Sequence, residues 1–278
     1  MSWTEIRVRH TAGSSRDSMV AALVQAGAPA VQEVDDDLLT HVPNTTDLDA
    51  LRAMLRAADP GARVDARDVG DIDWAARWPT AVGVQRLGPI AIAPPWRSAE
   101  IADATFPVII DPATAFGTGE HETTRNVLRL LPNVMNPSDR VVDVGAGSAV
   151  LAIAAARMGA ARVVAIELDE QAIGNAEANV AANGVSDRVT VIEGDARVIV
   201  PLVAPARVIL ANIISSVILD LAPIFRDALA PGGRAVVSGI LGTERDAFCS
   251  ALASQGWRIE TEYTEEGGAW WSSVIAPQ

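Results

Sequence analysis

The chain has 278 residues, 49% of them hydrophobic, and a formal charge of −13 from 22 basic and 35 acidic side chains. That length suits one large core plus a smaller module, and the acidic balance argues against nonspecific nucleic-acid binding, which depends on basic groups neutralising phosphates. It suits a basic protein or cationic partner, or simply an acidic solubilising surface.

Thr4–His10 (TEIRVRH) reads as a strand, SSRDSMVAALVQAG over 14–27 as a helix, and AVQEVD and LLTHV as strands joined through Asp35 to Asp37. TTDLDALRAMLRAAD is a second amphipathic helix and ARVDARDV a further strand. The pattern β-α-β-β-α-β predicts a small α+β, ferredoxin-like domain over residues 1–70. It carries no cluster of catalytic residue types, so a packing or dimerising module and a substrate-docking module are both open. Residues 71–104 read as a linker with a turn at LGPI and three tryptophans, Trp74, Trp78 and Trp96. They would form a recognition surface or pin the linker to a domain face.

From residue 105 to 278 strands and helices alternate: VVDVGAG, VLAIAAARMGA, VVAIEL, EQAIGNAEANVAANG, VTVIEG, RVILANI, VILDLAPIFRDALA, RAVVSGIL, ERDAFCSALASQG, WRIETEYTE and AWWSSVIA. Continuous apolar strands between helices predict an α/β domain whose parallel sheet is covered on both faces. The last two strands flank a Glu-Glu-Gly-Gly turn and predict an antiparallel hairpin at the sheet edge. Cys249, alone in the sequence, reads as a small buried residue of a helix. No apolar run approaches the ~18 residues of a membrane span. MSWTEIRVRH also lacks an apolar signal core, so a soluble cytoplasmic protein is expected.

Gly145 and Gly147 follow a buried strand and open a helix, where glycine allows a tight turn and lets a ligand reach backbone N–H groups. A dinucleotide fingerprint needs glycine at its sixth position, and Val150 stands there. The spacing fits instead the G-x-G-x-G loop of S-adenosylmethionine enzymes, with Ala149 in the last place. Glu167 ends the second strand, twenty residues beyond Gly147, where an acid is expected to accept from ribose hydroxyls. Asp195 ends the third strand, as an adenine-edge contact or a solvated turn. Asn212 ends the fourth, at the carboxyl edge where ligands of open α/β sheets bind.

DPATAFGTGEHETTRNVLRLL, VVDVGAGSAVLAIAA, AIELDEQAIGNAEANVAANGV, VILANI, LAPGGRAVVSGIL and DWAARWP together resemble the bacterial ribosomal-protein methyltransferase family PrmA, which modifies large-subunit ribosomal protein eleven. The similarity runs through residues 71–278. It implies a class I methyltransferase, Rossmann-like sheet and S-adenosyl-L-methionine as cofactor. Phe116, Gly117, Thr118 and Gly119 would then close over the methionine end of the cofactor. Thr124 would hydrogen-bond it, and Asp143, Gly145, Gly147, Glu167, Asp195 and Asn212 would complete the binding set. Asn212 is also the expected catalytic residue, orienting a neutral lysine or N-terminal amine of a basic ribosomal protein. No direct nucleic-acid or membrane partner is expected.

His121 lies in HETTR, which falls short of the zinc motif H-E-x-x-H because Arg125 takes the place of the second histidine. No metal is expected, and His121 reads as ordering the loop. Two departures from the family pattern, Ala149 in the glycine loop and GGAWWSS without an acid before tryptophan, leave open a paralogous methyltransferase acting on another protein or a small-molecule amine. A noncatalytic cofactor-binding module is a further alternative. The segment Ile213-Ile214-Ser215 lacks an aromatic residue to stack on a flipped base, which argues against a nucleobase substrate.

Overall fold

Alternation decides the first strand. In β1 (Trp3–Arg9), Thr4, Ile6 and Val8 are buried while their neighbours are more exposed, the period-2 pattern of a sheet with one covered face. A computed structural model of the chain describes residues 3–11, 19, 20, 23, 28, 31–34, 37–70, 82–112 and 117–278. Two compact units result, Met1–Arg77 and Trp78–Gln278.

In the first unit, β1 is followed by β2 (Val31–Val34), β3 (Asp37–Pro43), helix α1 (Leu48–Ala58) and β4 (Arg63–Gly70). The sheet is antiparallel in the order β2-β3-β1-β4. Asp47 starts α1 by accepting the N–H groups of Asp49 and Ala50, each at 3.0 Å, an N-cap that satisfies otherwise orphaned donors. Leu51 and Leu55 of α1 join Ile6, Val8, Leu38 and Val42 in one core, with Met19 and Leu23. Burial of each such leucine stabilises the unit by roughly 1.5–3 kcal/mol. The helix expected over 14–27 lies mostly outside the described residues, which include its helical positions Met19, Val20 and Leu23.

The second unit begins with β5 (Gln85–Leu87), β6 (Ile90–Ala93) and β7 (Phe106–Ile109). β5 and β6 pair antiparallel about the Gly88-Pro89 turn, and β6 pairs parallel with β7. Residues 82–104, read as linker from their prolines and tryptophans, thus carry two strands and a 3-10 turn, Pro95–Ile101. Leu87, Ile90 and Ile92 enter the main core, which short apolar runs between prolines do not announce. Trp96 is half-exposed; Trp74 and Trp78 lie outside the described residues.

The large sheet follows helix α2 (Glu122–Leu130). Its strands and helices are β8 (Arg140–Val144), α3 (Val150–Arg157), β9 (Arg162–Glu167), α4 (Glu170–Ala182), β10 (Val189–Glu193) and α5 (Ala196–Val203), then β11 (Ala206–Asn212), α6 (Ser215–Ala228), β12 (Leu229–Leu241), α7 (Arg245–Ser254), β13 (Trp257–Tyr263) and β14 (Trp270–Pro277). The strand order is β10-β9-β8-β11-β12-β14-β13, parallel from β10 through β12 and antiparallel for the last two pairings. Neighbouring residues of each strand feed opposite cores: Val141, Val163, Val208 and Val236 one, Val142, Val164, Ile209 and Val237 the other. Two covered faces are why these strands read as unbroken apolar runs.

The final hairpin forms at the sheet edge as expected, with β13 outermost. β14 inserts between β12 and β13, and Trp271 through Ala276 are all buried, whereas β13 buries only Trp257. The order reverses between β8 and β11, so the crevice beyond their carboxyl ends is where such a sheet takes a ligand.

Candidate active site

β8 delivers the chain into a turn in which the N–H groups of Gly145 and Ala146 both bond the Ile166 carbonyl, at 2.9 and 3.0 Å. Ala149, in the last place of the glycine pattern, adopts φ 64° and ψ 20° and cannot cap α3 with a side chain. The cap comes from β8 instead: Asp143 Oδ2 accepts the Ala152 N–H at 3.0 Å. Its Oδ1 is buried without a hydrogen-bond partner. Burial raises the Asp143 pKa to about 7, against the lowering effect of the Ala152 N–H, with Glu167 adding to the rise.

Glu167 ends β9 with its carboxylate turned to the glycine loop. Oε2 accepts the Gly147 N–H at 2.8 Å, and Oε1 accepts Leu168 and Asp169 N–H groups at 2.8 and 3.0 Å. Asp195 caps α5 through the Arg197 N–H at 2.8 Å. Gly145, Glu167 and Asp195 line one cavity of about 370 Å³, with Ile166, Leu168 and Ile214 among its apolar walls. Such volumes fall within the ~300–1,000 Å³ of ordinary small-molecule sites.

A second cavity of about 250 Å³ is lined by His121, Thr123, Asn212, Ile213, Ile214, Gly239 and Trp270. Ile213 and Ile214 are common to both cavities. Ile213 sits between two glycines: a Cβ on Gly145 would overlap its side chain, and one on Gly239, at φ +88°, its carbonyl. Asn212 Nδ2 donates to Thr124 Oγ1 at 3.2 Å, which fixes the amide and turns Oδ1 away from that contact. His121 caps α2, its Nδ1 accepting the Thr123 N–H at 3.3 Å, and meets Trp270 edge-on with ring centroids 5.3 Å apart. Burial, then the Arg125 charge, hold the His121 pKa below the ordinary histidine value.

Trp270 is held by α2. Glu122 accepts the Ala269 and Trp270 N–H groups at 3.1 and 3.2 Å, Asn126 Nδ2 donates to the Trp270 carbonyl at 3.2 Å, and Arg125 forms a two-pronged ion pair with Glu265 at 2.9 and 2.6 Å.

Of the residues expected to bind cofactor, Gly145, Glu167 and Asp195 share the first cavity, with Gly147 bonded to Glu167. Asn212 lines the second, backed by Thr124. Gly117 reaches the glycine loop through its carbonyl, which accepts from Ser148 Oγ at 2.7 Å. Thr118 and Gly119 lie on the segment leading to α2, and Asp143 lies beneath the loop. Phe116 is outside the described residues. Ser148, Asn179, Gly239 and Trp270 carry no motif in the sequence that marks them as site residues. For Asn179 a signal existed: asparagines at 175, 179 and 183, one helical face of a residue that helices disfavour. Among the described residues, no cluster of three His, Cys, Asp or Glu side chains is placed to hold a metal, and no helix is long and apolar enough to cross a membrane.

The strand order, the glycine turn and the acid at the end of β9 define a class I methyltransferase of Rossmann-like architecture. The sequence profile of the ribosomal protein L11 methyltransferase (PrmA) matches residues 32–276, reaching into the first unit. The ribosomal protein L11 methyltransferase of Symbiobacterium thermophilum is 38% identical over 239 residues, 83% of this chain and 73% of that protein. That of Thermus thermophilus is 38% identical over 203 residues, 73% of this chain and 77% of that protein. A crystal structure described as ribosomal protein L11 methylase from Lactobacillus delbrueckii subsp. bulgaricus matches with a TM-score of 0.63 and 29% identity, covering 70% of this chain and 98% of that one. The chain belongs to the ribosomal protein L11 methyltransferase family.

Proposed function

We propose that this protein transfers methyl groups from S-adenosyl-L-methionine to lysine side-chain or N-terminal amines of ribosomal protein L11, as a cytoplasmic enzyme. The observation that carries the reading is the pair of adjoining cavities, one bounded by Glu167 and the glycine loop, the other by Asn212. The first fits a nucleoside. Glu167 Oε2 accepts one backbone N–H and keeps a lone pair for a ribose hydroxyl, while Leu168 and Ile214, both largely exposed, supply apolar surface at its rim. When bound, the donor supplies an electrophilic methyl group on a sulfonium.

The chain's task is to present a neutral amine in line with that methyl, so positioning supplies most of the catalysis. A free lysine amine has a pKa of ~10.4, and desolvation in the second cavity, near a cationic donor, lowers it. His121, its own pKa depressed, adds no charge to that wall at neutral pH. Asn212 Oδ1 accepts an amine N–H and aims the lone pair at the methyl. The amine nitrogen forms the new bond to carbon as the sulfur–carbon bond breaks, and the displaced proton leaves to water. The first unit, which carries no cluster of catalytic residue types, serves to dock the ribosomal protein, whose basic character suits the acidic chain.

Incubation of L11 from the same genome with this protein and S-adenosyl-L-methionine should add mass in steps of one methyl. Asn212→Ala should abolish or strongly depress that addition. Unmodified L11 with the wild-type protein, under conditions in which S-adenosylhomocysteine binds, would direct the activity to another protein or a small amine. Normal rates in Asn212→Ala would remove Asn212 from the mechanism.

A further inference from the structure

Three asparagines four residues apart, Asn175 and Asn179 on α4 and Asn183 at its C-terminal cap, pair with the chain that leads to residues 113–116. Asn183 Oδ1 accepts the Ile109 N–H at 2.8 Å and Nδ2 donates to the Ile109 carbonyl at 2.6 Å. Asn179 does the same for Asp111, at 2.8 and 3.3 Å, and Asn175 adds a bond to the Asp111 carbonyl at 3.2 Å. Two side-chain amides thus bond alternate residues as a neighbouring strand would. Asn179 also donates to the Ser148 carbonyl at 3.2 Å, and Ser148 Oγ donates to the Gly117 carbonyl at 2.7 Å. Both side chains are almost wholly buried, at 1% and 0% exposure. Gly147, next to Ser148, is the residue whose N–H meets Glu167.

We propose that Asn179 and Ser148 are positioning residues that tie Asp111 and Gly117, the flanks of residues 113–116, to the glycine loop, so that the Glu167 and 117–119 parts of the donor site are held in one register. This rests on the reading of the site as one for S-adenosyl-L-methionine. A buried amide needs its partners, and asparagine within a helix is a poorer helix former than alanine, so Asn175 and Asn179 stand there for what they hold. Within this segment Asn183 bonds Ile109 alone, its other bond going to the backbone carbonyl of Asn179 at 2.8 Å and not to the Asn179 side chain, which makes it an internal control.

Two readouts on the full-length protein separate the roles. Calorimetric titration with S-adenosylhomocysteine should show binding weakened about tenfold or more in Asn179→Asp, which keeps the acceptor for Asp111 N–H but sets a carboxylate against the Asp111 and Ser148 carbonyls. Ser148→Ala should weaken it by a smaller factor, with a double variant less than additive. Asn183→Ala should lower the melting temperature and leave the affinity within about twofold, as a contact confined to scaffold does. Amide hydrogen exchange of the donor-free protein should quicken at residues 117–119 in Asn179→Asp and Ser148→Ala. Unchanged affinity in Asn179→Asp and Ser148→Ala, an equal loss in Asn183→Ala, or unchanged exchange at 117–119 would overturn the proposal. If the wild-type protein binds no S-adenosylhomocysteine, the donor reading falls, and the positioning claim is then decided by the exchange data alone.

Discussion

The two cavities are built in opposite ways. The first takes Gly145, Glu167 and Asp195 from the ends of three consecutive strands, so each lies one strand–helix unit from the next. The second takes His121 from a helix cap, Asn212 from β11, Gly239 from within β12 and Trp270 from the last hairpin. A cavity at the mouths of consecutive strands comes with the architecture, and serves a ligand common to all enzymes built that way. One assembled from dispersed segments is set by tertiary packing, and under the proposed function it is the one that would set specificity for the acceptor.

Perturbing the second cavity should therefore harm transfer more than donor binding. Gly239→Ala combines a backbone at φ +88° with a Cβ that overlaps the Ile213 carbonyl, so the Asn212–Ile214 segment must shift. Ile213 and Ile214 also wall the first cavity, so donor binding weakens somewhat, but Asn212 lines the second alone. A displacement of about 1 Å costs on the order of a hundredfold in turnover, and the fall in kcat should exceed the rise in the S-adenosylhomocysteine dissociation constant by at least tenfold. Steady-state kinetics beside calorimetry measures both, and equal losses would erase the distinction between the cavities.

Beneath the first cavity, Asp143 gives a pH signature. Its folded pKa, about 7, is raised above the unfolded value, so between about pH 4 and 7 the folded protein keeps a proton that the unfolded chain has lost. Stability from this group is then lost as pH rises through that window. A shift of that size bounds the effect at about 4 kcal/mol. Asp143→Asn, which keeps an acceptor for the Ala152 N–H, should remove that decline from urea-unfolding midpoints measured between pH 4 and 8. An identical pH profile in the variant would place the ionisation elsewhere.

The smallest effect is expected at Ala149. Relief of its left-handed backbone by glycine is worth about 1 kcal/mol, against about 0.8 kcal/mol for the buried methyl lost and a further entropic cost in the unfolded chain. Ala149→Gly should therefore move the melting temperature by only a few degrees and leave donor affinity nearly unchanged. A large change in affinity would show that the methyl shapes the cavity.

The same contrast explains what was legible in the sequence. Gly145, Gly147 and Glu167 announce themselves because strand, turn, helix and strand lie within one stretch whose periodicity reads directly. Gly239 and Trp270 sit in strands that would look the same in any buried sheet, and only the approach of Ile213 or His121 gives them meaning. The hairpin and its place at the sheet edge were legible from the turn between two strands; the order of its two strands takes a closer reading. Trp271 through Ala276 form a run buried on both faces, whereas WRIETEY alternates, and that difference marks β14 as interior and β13 as edge. Residues 82–104 hid two strands because β5 is only three residues with one apolar side chain, Leu87, and β6 is a four-residue apolar run that stops at Pro94.

The division between donor and acceptor cavities is tested most directly by titrating S-adenosylhomocysteine into the wild-type protein, Glu167→Ala and Trp270→Ala. Loss of hydrogen bonds to a charged group, worth about 1.5–3 kcal/mol, predicts binding weakened roughly ten- to a hundredfold in Glu167→Ala. Trp270→Ala should bind within about threefold of wild type while its methyl transfer to L11 collapses, because the residue it removes lines the second cavity, proposed to take the acceptor. Undiminished binding in Glu167→Ala, or an equal loss in both variants, would contradict the account.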